Sequence, residues 1–258
     1  MIILLSPAKT LDFESPLPSV QRSEPIYTKQ SERLIKQLRK KSVRSLKKLM
    51  NLSEDLAQLN YDRYQSWCQP VESDIARPAI FAFKGDVYQG LQAESLNEND
   101  LEFAQRHLRI LSGLHGMLRP LDVILPYRLE MGTKLKLTNK VTNLYQFWGD
   151  VLTRQLNEDM KFHGSRALVN LSSNEYFKAI NKKLVEQPII TPEFRDWKNG
   201  EYKMIGFFAK KARGMMAGYA VREKITDPGE LKLFHEDGYA YNEELSSGNK
   251  WVFTREQK

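Results

Sequence analysis

The chain has 258 residues, 41% of them hydrophobic, and a formal charge of +7 at neutral pH. That length and apolar content suffice for a full core, and no Gly-, Ser- or Pro-rich linker divides the chain, so one compact domain spanning 1–258 is expected. No stretch reaches the roughly 18 consecutive apolar residues of a membrane span, and Ile2 to Leu5 is too short for a secretory core of about seven to fifteen residues. A cytoplasmic protein with no membrane partner is expected.

In chain order, residues 2–5 read as a short buried strand, followed by a Pro-bearing loop through Asp12. Helices are predicted over 31–40, 45–50 and 53–67, the last with Ser53 as N-cap and Glu54 and Asp55 in its first turn. Residues 79–83 suit a buried strand. Asn97 or Asn99 caps a helix that carries Leu101, Ala104, Leu108 and Leu111 at spacings of three and four and stops at Gly113. After Asn143, the stripe Leu144, Phe147, Trp148, Val151, Leu152 and Leu156 predicts an amphipathic helix whose task is core packing. Residues 167–171 form another buried strand, Asn199-Gly200 marks a type I′ hairpin, a helix follows over 210–224, and short strands fall at 239–241 and 251–253. Strands scattered among helices, with at least one antiparallel hairpin, do not follow regular βαβ alternation. The fold class is α+β: a mixed sheet with surrounding helices.

Several chemistries are excluded by what is missing. Histidines 107, 115, 163 and 235 make no HxxxH, HExxH or Cys/His cluster, so no metal and no cofactor is expected. Glu98, Asp100 and Glu102 precede a helix and suit its positive end. Cys68 is single and lies in no CxxC spacing. There is no GxxxxGK[ST], no GxGxxG and no GxSxG elbow.

Basic residues pair instead with Gly, Ser or Pro in three strings: Ser6-Pro7-Ala8-Lys9, Phe83-Lys84-Gly85-Asp86-Val87-Tyr88, and Lys210-Lys211-Ala212-Arg213-Gly214. Such pairings let a cation and bare backbone N–H groups approach one anion. The string from Leu111 to Asp122 places Gly113 and Gly116 around Leu114 and His115, with Pro120 suited to a following helical turn. That pattern reads as a helix-hairpin-helix, whose backbone N–H groups grip nucleic-acid phosphate without reading bases. Gly113 as a plain helix C-cap is the competing reading. Charge is also concentrated: residues 29–48 hold nine basic side chains against Glu32 alone, leaving the rest of the chain about neutral. A solvated helix face is the plainer account of that segment; if it faces the same side as a cleft, it would raise nonspecific nucleic-acid affinity through counterion release.

The chain resembles the YaaA peroxide-stress family across its length. The resemblance is carried by Leu5-Ser6-Pro7-Ala8-Lys9, Phe83 to Tyr88, Leu111 to Asp122, Pro126-Tyr127-Arg128-Leu129-Glu130-Met131-Gly132, Tyr145 to Asp150 and Ala209 to Gly214. Asn170 to Tyr176 matches more loosely, with Ser172 and Asn174 where Ala and Asp are expected. The resemblance implies a bacterial protein that limits free iron and DNA damage during hydrogen peroxide stress, and that binds DNA through a positive cleft and a helix-hairpin-helix. The missing His, Cys and carboxylate clusters make direct iron chelation improbable.

The expected DNA-binding residues are therefore Gly113, Leu114, His115, Gly116 and Arg119, with Lys9, Lys84, Arg128, Lys210, Lys211 and Arg213 lining the approach of a monomer. Contact would be largely independent of sequence. The alternative is an enzyme acting on a phosphorylated or carboxylated small molecule in the same basic surroundings, with Asp86, Asp150 or Glu130 as acid or base.

Overall fold

The computed structural model describes residues 1–69 and 75–256, and the statements below refer to these. Eight strands form one mixed sheet: β1 (Ile2–Leu5), β2 (Leu108–Ser112), β3 (Gly116–Leu118), β4 (Leu168–Asn170), β5 (Ile189–Lys198), β6 (Glu201–Lys203), β7 (Ala240–Ser247) and β8 (Lys250–Arg255). Their spatial order is β7-β8-β5-β4-β1-β2-β3, with β6 paired to β5. Five adjacent strands, β2, β1, β4, β5 and β8, run parallel, while β3, β6 and β7 are antiparallel to their neighbours. All four residues of β1 are buried, as its unbroken apolar run requires of a strand covered on both faces. Ile3 lies opposite Leu108 on one side and Val169 on the other.

The main helices are α1 (Thr28–Leu38), α2 (Val43–Met50), α3 (Glu54–Ser66), α4 (Asp86–Leu91), α5 (Glu98–His107), α6 (Val151–Phe162) and α7 (Gly206–Arg222). Their starts follow from capping chemistry. Ser53 accepts from Leu56 N–H at α3, and Asn97 with Asp100 forms a reciprocal capping box at α5. Helices α4 and α7 pack with almost no separation. A Cβ on Gly214 would lie 1.7 Å from Val87 O, and one on Gly90 would lie 2.1 Å from Lys211 O. Only glycine permits that approach, and it fixes the 83–88 string against the 209–214 string.

The α+β class and the mixed sheet hold. Asn199 and Gly200 both have positive φ, 55° and 84°, as the type I′ turn between β5 and β6 demands. The helix expected after Asn143 is instead two, Leu144–Trp148 and α6, broken where Gly149 takes φ 48°. Residues 79–82 form a helical turn rather than a strand, with only Phe83–Lys84 extended.

The largest departure concerns the helix-hairpin-helix. Helix α5 ends at His107, and Leu108 to Leu118 is a β-hairpin with Ile110 opposite Leu118. Leu108 and Leu111 fit a helical period, but Leu-Arg-Ile-Leu-Ser also fits a strand buried on both faces, and pairing with β1 decides. Residues 120–124 form no helix; Arg119 and Asp122 close a turn in which Arg119 N–H donates to Asp122 Oδ2 at 2.8 Å, and Val123–Ile124 is extended.

Candidate anion-binding cleft

The cleft opens where β1 and β4 end, the position at which parallel sheets present ligand sites. Ser6, Pro7 and Ala8 follow β1, while Leu171 and Ser173 follow β4; together they line part of a cleft of about 340 Å³. The two loops are tied together. Ser173 N–H donates to Ser6 Oγ at 2.8 Å, and the buried Tyr88 hydroxyl donates to Ser6 O at 3.1 Å.

Strand pairing brings the cationic strings to this point. Thr10–Leu11 pairs antiparallel with Phe83–Lys84, placing Lys9 and Lys84 on neighbouring segments, and α7 adds Lys210 and Arg213. Asp86, Glu130 and Glu175 line the same cleft, so its charge is mixed. Lys9 pairs with Glu130 at 3.0 Å, Lys84 with Asp12 at 3.2 Å, and Lys210 approaches Asp86 at 4.0 Å. These lysines are about six-tenths exposed, with relative side-chain accessibilities of 63%, 59% and 59%. Exposed ion pairs of this kind are worth roughly 0–1 kcal/mol, so each lysine is free to turn from its carboxylate to a bound anion.

Arg213 differs. It is half-buried and lines the cleft, and its guanidinium has no hydrogen bond or ion pair among the described residues. Desolvation lowers its pKa, opposed only by the more distant charge of Glu193. Asp12 shows the converse: hydrogen bonds from Ser15 and Glu14 N–H, the Ser15 hydroxyl and Lys84 hold its carboxyl well below the usual range.

The expected site residues thus divide. Lys9, Lys84, Lys210 and Arg213 share the cleft. Arg128 stands behind it, bonded to Glu130 at 3.0 Å. Lys211 turns away to Asp237 at 3.7 Å. Arg119 is held by Asp122 at 2.9 Å and Glu24 O at 2.9 Å, outside the lining. Asp150 accepts from Asn181 Nδ2 at 2.9 Å and lies in a separate depression.

Gly113, Leu114, His115 and Gly116 are all buried, which corrects the phosphate-grip reading. Leu129 O would sit 2.2 Å from a Cβ on Gly113, and the Trp148 ring 2.7 Å from one on Gly116. Trp148 Nε1 donates to Gly113 O, and His115 N–H donates to Ser112 Oγ. Trp148 belongs to the stripe read as core, and it covers the turn. Asp12 and Glu175 were not singled out from sequence; Glu175 lies in the loosely matching 170–176 string, and Asp12 carries no motif. Among the described residues no group of three or more His, Cys, Asp or Glu could hold a metal ion, and no helix is long and apolar enough to cross a membrane.

Fold and cleft together define a mixed α+β protein with a cleft of cations and carboxylates at the C-terminal edge of a largely parallel sheet. Comparison with known sequences sharpens this: the chain belongs to the family described as peroxide stress protein YaaA, whose sequence profile matches residues 1–245. It is 53% identical over 256 residues, 99% of this chain and all of the relative, to a UPF0246 protein of Hahella chejuensis. It is also 50% identical over its whole length to UPF0246 proteins of Saccharophagus degradans and Aliivibrio fischeri, covering 100% and 99% of those chains.

Proposed function

We propose that this peroxide-stress protein binds DNA at the cationic cleft, holding backbone phosphate rather than reading bases, and acts as a cytoplasmic monomer. In this reading the protein limits free iron and DNA damage during hydrogen peroxide stress, and the cleft is where it meets DNA. The observation that carries the reading is Arg213: a half-buried guanidinium on α7 with no ion pair among the described residues, beside three lysines. An unpaired, partly desolvated cation is unfavourable until an anion arrives, and arginine's fork suits phosphate.

The test is fluorescence anisotropy with labelled duplex and single-stranded DNA across a salt series, comparing wild type with Arg213→Gln. A lost charge-assisted hydrogen bond of about 1.5–3 kcal/mol predicts roughly 10- to 150-fold weaker binding. Wild-type affinity in a variant with unchanged circular dichroism would remove the cleft from DNA binding.

A second reading has its own observation. Asp86, Glu130 and Glu175 share the cleft with the cations, an arrangement useful for proton transfer on a phosphorylated or carboxylated small molecule. Thermal stabilisation by phosphorylated metabolites that disappears in Arg213→Gln, in a protein that binds no DNA, would favour this enzyme over the DNA-binding protein.

A further inference from the structure

From Trp197 to Phe208 no residue is buried, although the stretch carries Trp197, Tyr202, Met204, Ile205, Phe207 and Phe208. Trp197, Met204 and Phe207 are 44%, 49% and 55% exposed. Concentrated apolar exposure of this kind marks a contact surface. Its rings are held by neighbouring side chains. Trp197 and Tyr202 are cross-strand partners in the β5–β6 hairpin, with ring centroids 4.9 Å apart at 70°. Phe208 is engaged by the Arg255 guanidinium at 4.7 Å and meets the Phe207 ring edge-on at 5.5 Å, and Phe207 is the more exposed of the two rings on the first turn of α7. Phe207 and Lys210 are three residues apart and share one helix face, and Lys210 lines the cleft.

The charge around these rings selects the partner. Lys198, Lys203 and Lys210 are exposed, and Glu201, the one exposed carboxylate between 197 and 210, is paired with Lys203 at 2.8 Å. Flat apolar rings between cations complement a strand whose bases are apolar on their faces and whose backbone is anionic. A base-paired duplex keeps those faces stacked internally.

We propose that the β5–β6 hairpin and Phe207 form a stacking platform for unpaired bases of a DNA strand whose phosphate occupies the cleft. The inference rests on the DNA-binding reading and adds a preference: single-stranded, gapped or otherwise unstacked DNA over intact duplex.

The experiment compares wild type, Phe207→Ala, Trp197→Ala and Arg213→Gln on a single strand carrying 2-aminopurine and on the matching duplex, with sedimentation velocity on each protein. Both rings are exposed, so the two alanine variants keep the wild-type circular dichroism. Stacking is worth about 1–3 kcal/mol per base, so each alanine variant should bind the single strand roughly 5- to 150-fold more weakly and the duplex less than twofold more weakly. Wild type should alter 2-aminopurine fluorescence and Phe207→Ala should not. Unchanged single-strand affinity, or equal losses on strand and duplex, would overturn the platform while leaving the cleft in place. A wild-type dimer that both alanine variants dissolve would overturn it in favour of self-association. Selective losses in the alanine variants with none in Arg213→Gln would sustain the platform and overturn the cleft, whereas wild type binding neither DNA would remove both.

Discussion

His115 sits wholly inside the molecule, with Ser31 Oγ 3.2 Å from Nδ1 and no partner for Nε2 among the described residues. Burial pushes its pKa down to about 3, and burial pushes that of His107 down to about 4 against the bond to Met1 O. Both titrate near their ordinary value of about 6.5 once the chain unfolds. Between these limits the unfolded state binds more protons, so stability is complete above about pH 6.5 and falls as pH drops toward 4, by up to roughly 1.4 kcal/mol per pH unit for each histidine. Urea midpoints should therefore decline between pH 7 and pH 5, and His115→Phe should flatten the decline by about one histidine's share. Parallel slopes for the two proteins would mean that His115 is not the group responsible. The same enclosure explains why this residue cannot serve a phosphate. Gly113 to Gly116 were legible as a turn, but the indole that covers them comes from Trp148, and no local pattern reports so distant a contact.

Among the elements, the α4 and α7 contact is the one most dependent on single residues. Gly214→Ala would drive a methyl group into Val87 O and should destabilise the fold by about 3 kcal/mol or more, whereas Gly206, also in α7, has nothing within 4 Å and ordinary φ. Gly206→Ala should instead raise stability by roughly 0.4–1 kcal/mol through the unfolded chain. Thermal melts of the pair check both signs, and a harmless Gly214→Ala would show that the two helices are free to separate. Arg39 makes a comparable join: its guanidinium donates to the carbonyls of Tyr64, Gln65 and Trp67 at the end of α3. Elements with their own start and stop chemistry were legible, as with Ser53 at α3 and Asn199-Gly200 between β5 and β6. The 108–118 hairpin was not, because Leu108 and Leu111 satisfy two periods and the choice between them is made by β1, more than a hundred residues away. The cationic strings were visible one at a time; their convergence depends on the Thr10 to Lys84 pairing and on glycine contacts between helices.

At the scale of the whole molecule, charge is separated in space. The cleft combines four cations with three carboxylates, while α1 and α2 carry most of the net excess. Within them, Leu34, Ile35, Leu38 and Leu46 face inward, and Lys29, Lys36, Arg44 and Lys48, with Lys40 in the turn between the two helices, are exposed without ion pairs among the described residues. A fixed positive ridge raises the rate of encounter with a polyanion over a distance set by the Debye length, about 8 Å at physiological salt, without contributing contacts to the final complex. Contacts release counterions and give log K a slope of about −0.9 per phosphate neutralised on duplex DNA. The two contributions separate experimentally. Replacing Lys36, Lys40, Arg44 and Lys48 together with Gln should slow association severalfold at low salt, leave dissociation unchanged, and leave the slope within about one unit of wild type. Replacing Lys9, Lys84, Lys210 and Arg213 should flatten the slope by roughly three to four units and speed dissociation. If the ridge variant instead loses the larger part of the slope, phosphate is bound along α1 and α2, and the cleft, with its three carboxylates, is left for a smaller anion.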